Sequence, residues 1–395
     1  MKDASNQIRG ARVFMLDAAG GPPKEVPMTW VCEKAGVHAP AARQAAWPLL
    51  TAALRARGAA AVLVIADAST HALTDAPTDA SAATPHSPLH WLDAEHARGW
   101  VAPQVGVDIH ADQLPALWKA NLALEHVPAD AALLAWPALP WLSWGDQTAG
   151  LYTPPAPARQ AAQPPPGLYA IVPDAAALRQ VLKAGVRTVQ LRIKRPIDAD
   201  TAWTAALRDA IRDSLAAAEG HGALLYINDH WRLAAEMGAG AVHLGQEDLL
   251  ALDERGHAEL RASGLGLGVS SHAVWELCRA RSLAPQYIAC GPVWPTTTKD
   301  MPWRPQGLHN LAWWCRVAGA PVVAIGGILT PEQVRQTAAA GASGVCVLRG
   351  LGSDPQLTVA TLQRAFEDGH QDALAAAGQP ICQLHPTLGP AGTSA

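Results

Sequence analysis

The sequence contains little charge and lacks the usual signs of a nucleic-acid-binding or membrane protein. Charged residues make up 16% of its 395 positions, and the formal net charge is −4. A large nucleic-acid interface normally carries an excess of basic residues, so that partner is not expected. No apolar run reaches the ~18 residues needed to cross a bilayer. The first residues, MKDASNQIRGAR, also lack the apolar core of a secretory signal. We therefore predict a cytoplasmic protein with neither a membrane nor a nucleic-acid partner.

Cysteines are few and scattered along the chain. None of the six forms a CxxC pair, so neither a disulfide framework nor a zinc site is indicated. In contrast, hydrophobic residues make up 49% of the sequence, which is typical of a folded globular protein. The length predicts two or three domains.

A segment rich in proline and alanine divides the chain into two parts. Residues 153–166 read TPPAPARQAAQPPP, a composition typical of a semi-rigid exposed linker. We predict an N-terminal domain at 1–152, a second domain at 167–372 and a loose C-terminal tail at 373–395.

After the linker, short apolar runs alternate with longer amphipathic ones. The predicted strands are Leu168–Val172, Thr188–Ile193, Leu224–Ile227, Ala241–Leu244, Leu265–Val269, Tyr287–Cys290, Pro321–Ile325 and Gly344–Leu348. Eight strand–helix alternations predict an α/β fold, a (β/α)8 TIM barrel.

The N-terminal domain gives weaker signals. Apolar runs at Arg12–Leu16 and Ala61–Ile65 predict strands. Helices are predicted at Ala41–Ala56, Leu114–Leu124 and Ala129–Trp136. Together these elements predict a small α/β domain in front of the barrel.

Two carboxylates follow neighbouring strands of the predicted barrel. Asp229 comes after the third strand and Asp248 after the fourth. The C-terminal ends of barrel strands carry the functional residues of this fold. Paired carboxylates suit Mg²⁺, which keeps several waters and also binds phosphates. The alternative is that both aspartates cap helices by accepting hydrogen bonds from backbone amides.

Cations and glycines at other strand ends point to phosphate binding. Arg192, Lys194 and Lys299 would face the same mouth as the two carboxylates, an arrangement that can hold a metal–pyrophosphate group. The pair Gly326-Gly327 follows the seventh strand, where barrels often bind phosphate. His243 is either a hydrogen-bonded core residue or a ligand contact.

Six segments in order resemble the thiamine-phosphate synthase family. They are VQLRIK at 189–194, YINDHWRLA at 226–234, VHLGQEDL at 242–249, LGVSSH at 267–272, GPVWPTTTK at 291–299 and VVAIGGI at 322–328. The resemblance covers nearly all of residues 167–350, and six ordered motifs are far more specific than one.

The resemblance implies a Mg²⁺-dependent transferase of thiamine biosynthesis. Such an enzyme joins 4-amino-5-hydroxymethyl-2-methylpyrimidine diphosphate to 4-methyl-5-(2-phosphoethyl)thiazole, giving thiamine phosphate and pyrophosphate. It implies Asp229 and Asp248 as metal ligands, and Lys194, Ser270 and Lys299 as catalytic residues. The implied substrate-binding residues are Gln190, Arg192, Lys194, Asn228, Ser270, Thr296, Thr298, Lys299, Gly326 and Gly327. Of these, Gly327 would meet the thiazole phosphate.

The chain also departs from the family pattern. Ile193 stands where the family usually has an acidic residue, and strand alternation predicts that it faces away from Arg192 and Lys194. After the eighth strand, where the family commonly has a small residue, this chain has Leu348-Arg349-Gly350. Arg349 would either add a phosphate contact or crowd the site.

Two rival functions remain open at this point. A thiazole tautomerase shares the barrel but needs a proton-transferring histidine and no metal–pyrophosphate site. A non-catalytic barrel that binds thiamine precursors would keep the pocket alone. The N-terminal domain faintly resembles the end of a hydroxymethylpyrimidine kinase without its anion hole, which suggests a degenerate, non-catalytic domain that packs on the barrel or supports a homo-oligomer.

Overall fold

The structure is a computed structural model of the full chain. It describes residues 11–17, 21–35, 46–66, 89–104, 107, 110–146, 167–297, 302–375 and 384–388. The predicted linker, Thr298 and Lys299 lie outside these ranges. The chain forms two compact units, which divide at Thr153 and Pro154. The first unit also includes Ala273–Ser282, from the middle of the second half of the chain.

The first unit contains a six-stranded antiparallel sheet. Its strands are β1 (Ala11–Asp17), β2 (Lys24–Val26), β3 (Ala59–Ala66), β4 (His90–Ala94), β5 (Arg98–Ala102) and β6 (Trp141–Leu142). Their order across the sheet is β2-β1-β3-β4-β5-β6. The central β3, AAAVLVIA, is buried along nearly its whole length, as expected for a continuous apolar run.

Four helices accompany this sheet: α1 (Met28–Ala35), α2 (Trp47–Ala56), α3 (Leu114–Ala123) and α4 (Pro128–Leu133). The core of the unit includes Trp47, Trp91 and Trp100. It also encloses a small polar group, because Thr51 donates to Asp93 and accepts a hydrogen bond from the Trp91 indole. The prediction of a small α/β domain is confirmed, and the part of the first predicted helix at 41–45 lies outside the described residues.

Residues Ala273–Ser282 make specific contacts within the first unit. The backbone N–H of Trp275 donates to Asp130 Oδ1 at 3.0 Å, and both groups are buried. Arg281 donates to the carbonyl of Leu139 at 2.7 Å. The first unit is therefore assembled from two stretches of sequence that are far apart.

The second unit is a closed barrel of eight parallel strands. They are β7 (Gly167–Val172), β8 (Thr188–Leu191), β9 (Leu224–Asn228), β10 (Ala241–Leu244), β11 (Gly266–Ser271), β12 (Tyr287–Cys290), β13 (Val322–Ala324) and β14 (Gly344–Val347). The closed order is β10-β11-β12-β13-β14-β7-β8-β9. The prediction of a (β/α)8 TIM barrel is confirmed, with strand ends that differ from the predicted ones by no more than two residues.

Helices alternate with these strands along the chain. They are α5 (Ala175–Lys183), α6 (Thr201–Gly220), α7 (Trp231–Glu236), α8 (Gln246–Leu250), α9 (Glu254–Ala262), α10 (Val274–Arg281), α11 (Gly307–Val317), α12 (Pro331–Ala339) and α13 (Pro355–Ala375). Several begin at side-chain caps encoded in the sequence. Asp174, Asp200 and Asp253 each accept a hydrogen bond from a first-turn amide, which fixes where α5, α6 and α9 start.

The barrel interior is aromatic and polar at once. Tyr169, Tyr226 and Tyr287 lie in its buried core with small residues such as Ala289. The space beside Tyr287 exists because residue 268 is glycine: a Cβ there would overlap the tyrosine ring. Two of these tyrosines, Tyr169 and Tyr287, are joined by a hydrogen bond between their hydroxyls.

Part of the predicted tail packs against the second unit. Helix α13 extends to Ala375, three residues past the predicted end of the barrel at 372. Leu384 and Thr387 are buried, and the amide of Asn310 exchanges hydrogen bonds with the backbone of His385. The described residues 384–388 are therefore held on α11 and are not a loose tail.

No helix in the described ranges combines the length and the hydropathy that crossing a bilayer requires.

Candidate functional site

A cavity of about 210 Å³ opens at the C-terminal ends of the barrel strands. Ten of the twelve site residues predicted from the sequence line it: Gln190, Arg192, Lys194, Asn228, Asp229, Asp248, Ser270, Thr296, Gly326 and Gly327. The other two, Thr298 and Lys299, lie outside the described residues. The strand ends thus bring together residues that are up to 137 positions apart in sequence.

Asp229 is held in an unusual backbone conformation at the end of β9. Its φ is +65°, a region that aspartate tolerates better than most residues but that still costs energy. Its N–H donates to the carbonyl of His243 at 3.0 Å. Its carboxylate accepts a 2.6 Å hydrogen bond from Lys194 Nζ. The acid and the cation predicted separately from the sequence therefore form an ion pair at the cavity wall.

Asp248 lies in the first turn of α8, which follows β10. Its Oδ2 accepts a hydrogen bond from the N–H of Gly245 at 2.9 Å, so Asp248 makes a helix-capping contact in addition to lining the cavity. Asp229 does not cap α7, which begins after His230 without a side-chain cap. Burial raises the pKa of Asp248, and the nearby charge of Asp229 raises it further. The two carboxylates, which follow the neighbouring strands β9 and β10, are therefore close enough to interact electrostatically.

A hydrogen-bonded chain of five side chains links three residues of the cavity wall through two buried tyrosines. Gln190 Nε2 donates to Tyr169 Oη at 3.0 Å, and Tyr169 Oη lies 2.9 Å from Tyr287 Oη. His243 Nδ1 lies 2.6 Å from Tyr287 Oη, and its Nε2 lies 2.8 Å from Ser270 Oγ. The chain therefore joins Gln190 at one side of the cavity to Ser270 at the other.

The chain has a preferred direction. Burial lowers the pKa of His243 to about 4, so the ring is neutral near pH 7 and offers one donor and one acceptor. If Gln190 donates to Tyr169, both tyrosine hydroxyl hydrogens find an acceptor within this chain only when Tyr287 donates to Nδ1 and Nε2–H donates to Ser270. The Ser270 hydroxyl hydrogen is then available to a ligand in the cavity.

The opposite wall is formed by Gly326 and Gly327. Their φ values are +92° and +73°, and a Cβ would lie 2.7 Å from Pro292 or 2.6 Å from Trp294. Only glycine fits this path without strain. The wall is therefore bare backbone, which an anionic group can approach closely.

Arg349 also lines the cavity. It lies on a short 3₁₀ turn after β14, and its Nη1 donates to Thr297 Oγ1 at 3.0 Å. Arg349, which stands where the family commonly has a small residue, thus lies at the mouth of the site.

The hydrogen-bonded chain could not be predicted in full from the sequence, because it forms only when the strands close into a barrel. The sequence does not predict these tyrosines as site residues, and it does not decide between a core role and a ligand contact for His243. A signal was available, because three of only four tyrosines in the sequence fall inside predicted or observed barrel strands. A phenol in a buried strand needs a hydrogen-bond partner, which predicts a polar chain inside the barrel.

In the part of the chain that the structure describes, no metal site is preformed as a cluster of side chains. Within the described ranges, no group of three or more His, Cys, Asp and Glu side chains is arranged to hold a metal ion. Two carboxylates alone still meet the requirement of Mg²⁺ when substrate phosphates supply further oxygens.

Comparison with known proteins assigns the second unit to a family. The family model described as thiamine monophosphate synthase matches residues 168–351. A thiamine-phosphate synthase of Neisseria meningitidis serogroup A is 43% identical over 202 residues, covering 50% of this chain and 94% of its own length. A thiamine-phosphate synthase of Rhizobium etli is 43% identical over 197 residues, covering 49% of this chain and 91% of its own.

Among solved structures, a thiamine phosphate pyrophosphorylase from Pyrococcus furiosus is similar, with a TM-score of 0.45 and 24% identity. The similarity covers 52% of this chain and 98% of that one.

Proposed function

Because this chain belongs to the thiamine monophosphate synthase family, we propose that it is a thiamine-phosphate synthase of thiamine biosynthesis. Its barrel joins 4-amino-5-hydroxymethyl-2-methylpyrimidine diphosphate to 4-methyl-5-(2-phosphoethyl)thiazole and releases pyrophosphate. One observation carries the proposal: acidic and basic side chains on β8–β10 face a bare glycine wall after β13 in the same cavity. The site therefore has one region for a metal–diphosphate group and another for a monophosphate.

We assign the metal to Asp229 and Asp248. Both line the cavity, and burial together with the nearby charge of Asp229 raises the pKa of Asp248, which is the situation that a divalent cation relieves. Carboxylate oxygens are the protein ligands that Mg²⁺ prefers. When bound, the ion would neutralise negative charge on the departing pyrophosphate. Lys194, which contacts Asp229 in the structure, provides a second positive charge beside it.

The diphosphate region combines charged and neutral donors. Arg192 and Lys194 bring positive charge, while Asn228 and Ser270 bring neutral donors. The chain through His243 orients Ser270 so that its hydroxyl donates into the cavity. Lys299 completes this set by resemblance. Fixed donors of this kind stabilise developing negative charge without reorganising during the reaction.

The proposed chemistry is dissociative. The bond between the pyrimidine methylene carbon and the diphosphate oxygen breaks first, leaving a pyrimidinylmethyl cation that the amino-substituted ring stabilises. The thiazole nitrogen then attacks the methylene carbon. The residues have two tasks: to hold the departing pyrophosphate, and to keep the thiazole in line. Gln190, at the other end of the hydrogen-bonded chain, orients the pyrimidine, and Thr296 and Thr298 contact the thiazole.

A coupling assay on the full chain tests the proposal. Purified protein receives both substrates with Mg²⁺ or with a chelator, and thiamine phosphate and pyrophosphate are measured. We expect Mg²⁺-dependent formation of both products and a loss of roughly a hundredfold or more in Asp229→Asn. Asp213→Asn is the matched control, because this exposed carboxylate on α6 is paired with Arg179 and lies outside the cavity.

The possible failures separate the rival functions. Product formed equally with the chelator contradicts the metal assignment. Isomerisation of a thiazole phosphate without coupling identifies a tautomerase, and tight binding without turnover identifies a precursor-binding protein. Both of the latter results contradict the proposal that the chain is a synthase.

A further inference from the structure

Residues 384–388, hereafter the C-terminal segment, pair with the loop that follows β12. Trp303 and Leu388 form an isolated antiparallel bridge, and the N–H of Arg304 donates to the carbonyl of Thr387 at 2.9 Å. Backbone pairing of this kind fixes the path of both partners. The C-terminal segment therefore holds the last part of the loop in a defined conformation.

A buried side-chain network joins the same segment to α11. The Asn310 amide donates to the carbonyl of His385 and accepts a hydrogen bond from its N–H, both at 2.9 Å. His385 Nε2 lies 2.7 Å from the carbonyl oxygen of Gln306, and because a carbonyl can only accept, the ring donates there. Asn310 and Gln306 are fully buried. Detachment of the segment would leave buried polar groups without partners, which is costly.

Gln306 links this network to the wall of the cavity. Its Nε2 donates to the carbonyl of His272 at 2.7 Å, and its Oε1 accepts a hydrogen bond from Asn310 at 3.1 Å. The His272 ring also stacks on Trp303, with ring centroids 5.3 Å apart and an angle of 9° between the planes. His272 lines the cavity. Both its backbone and its ring are therefore held by residues that contact the C-terminal segment or its network.

His272 belongs to the part of the cavity wall that contains Ser270. The two residues both line the cavity, and two steps along a chain span at most about 7 Å. Ser270 is part of the region that we assign to the diphosphate of the pyrimidine substrate. A displacement of His272 would therefore be felt first in that region.

We propose that the C-terminal segment is a positioning element of the cavity: it holds His272 in place and so preorganises the wall that meets the diphosphate. The inference rests on the proposed function. It concerns a part of the chain that the family model, which ends at residue 351, does not match. A wall that is already held does not have to be ordered by the substrate, so binding costs less. Loss of the segment should raise KM for the pyrimidine diphosphate and leave kcat unchanged, because a saturating substrate still orders the wall.

The test compares His385→Ala with Thr387→Val in the full chain. The first variant removes the ring that donates to the Gln306 carbonyl. The second removes a buried hydroxyl that has no hydrogen-bond partner among the described residues, and it keeps the backbone carbonyl that pairs with Arg304. We expect His385→Ala to raise KM for the pyrimidine diphosphate roughly threefold to tenfold, as for the loss of one hydrogen bond. Thr387→Val should resemble the wild type, and deletion of residues 384–388 should raise KM further than His385→Ala.

Hydrogen exchange and NMR provide readouts that do not need turnover. The peptide 302–311 should exchange faster in the deletion variant, because the N–H of Arg304 loses its acceptor on Thr387. Peptides from β7 should stay unchanged, which shows that the barrel remains folded. The Cε1–H resonance of His272, assigned with His272→Gln, is displaced by the ring of Trp303 stacked on it. This resonance should move in the deletion variant without substrate.

The outcomes distinguish the inference from the function on which it rests. A wild-type KM in the deletion variant overturns the inference, because the segment would then be structural only. A fall in kcat without a rise in KM also overturns it, and so does an unchanged His272 resonance. Absence of coupling in the wild type overturns the proposed function, and the His272 resonance then decides separately whether the segment holds the wall.

Discussion

Replacing Tyr287 by phenylalanine should damage the barrel more than its single lost oxygen suggests. Tyr287 Oη is buried and contacts both Tyr169 Oη at 2.9 Å and His243 Nδ1 at 2.6 Å. The ring itself remains in Tyr287→Phe, so no large cavity forms. The change instead leaves two buried polar groups without their partner, and each such group costs about 1–3 kcal/mol. We therefore expect the free energy of unfolding to fall by about 2–6 kcal/mol.

Tyr226→Phe is the matched control. Tyr226 belongs to the same aromatic cluster, with its ring centroid 5.1 Å from that of Tyr287. Its hydroxyl donates to Gln286 Oε1 at 2.9 Å. Gln286 is only half-buried, so its amide can turn to water when the hydroxyl is removed. The control should lose about 1 kcal/mol, the usual net value of one hydrogen bond.

Hydrogen exchange followed by mass spectrometry suits this comparison. The chain has two units, so its global unfolding need not be a single transition, whereas exchange reports opening of each strand separately. Peptides from β10 and β12 should lose more protection in Tyr287→Phe than in Tyr226→Phe, and peptides from β3 should stay unchanged. Since Ser270 loses its orienting chain, kcat should also fall, by roughly tenfold for about 1.4 kcal/mol.

Equal loss of protection in the two variants would refute the reasoning, because the five-membered chain would then carry no more stability than an isolated hydrogen bond. Unchanged kcat in Tyr287→Phe would contradict the role given to the chain in orienting Ser270.

Three further predictions concern other parts of the chain. Burial lowers the pKa of His90 from 6.5 to about 3, so its contribution to stability is complete above about pH 6.5 and is lost as the pH falls toward 3. Hydrogen exchange in β4 should show that the free energy of opening falls by about 2 kcal/mol from pH 7 to pH 5. His90→Asn should remove that difference, and an identical pH response in this variant would contradict the prediction. Gly327→Ala would place a Cβ 2.6 Å from Trp294, so KM for the thiazole phosphate should rise while KM for the pyrimidine diphosphate does not. An unchanged ratio of the two KM values would contradict this prediction. Asp174→Ala removes the carboxylate that accepts a hydrogen bond from Ala177 N–H, and it should lower the free energy of opening of α5 by about 1 kcal/mol. Unaltered hydrogen exchange in α5 would show that the cap contributes nothing.

The barrel could be predicted because each strand is a separate β-branched run between helices with clear starting residues. The ends of the strands were harder to predict, since they depend on pairing between neighbouring strands. Residues 192 and 193 illustrate this, because β8 ends at Leu191 and strand alternation no longer applies to them. Ile193 instead contributes its carbonyl oxygen to His230 Nε2 at 2.8 Å.

Within the site, single polar residues were predictable but their partnerships were not. A lysine or aspartate after a buried strand is visible in the sequence, and placing it at the cavity needs only the fold class. The ion pair of Lys194 with Asp229 and the contact between Tyr169 and Tyr287 depend on the three-dimensional closure of the barrel. Tyr169 and Tyr287 are 118 positions apart, and no local pattern encodes their contact.

The discontinuous first unit limits how this gene can be divided. Its segment Ala273–Ser282 is encoded inside the barrel sequence, and Trp275 and Arg281 bond to groups at Asp130 and Leu139. A break within residues 153–166 would separate these partners onto two polypeptides, and the barrel fragment would expose a helix that is buried along most of its length. Selection against that exposed surface would preserve the two halves as a single reading frame, whether or not the first unit has chemistry of its own.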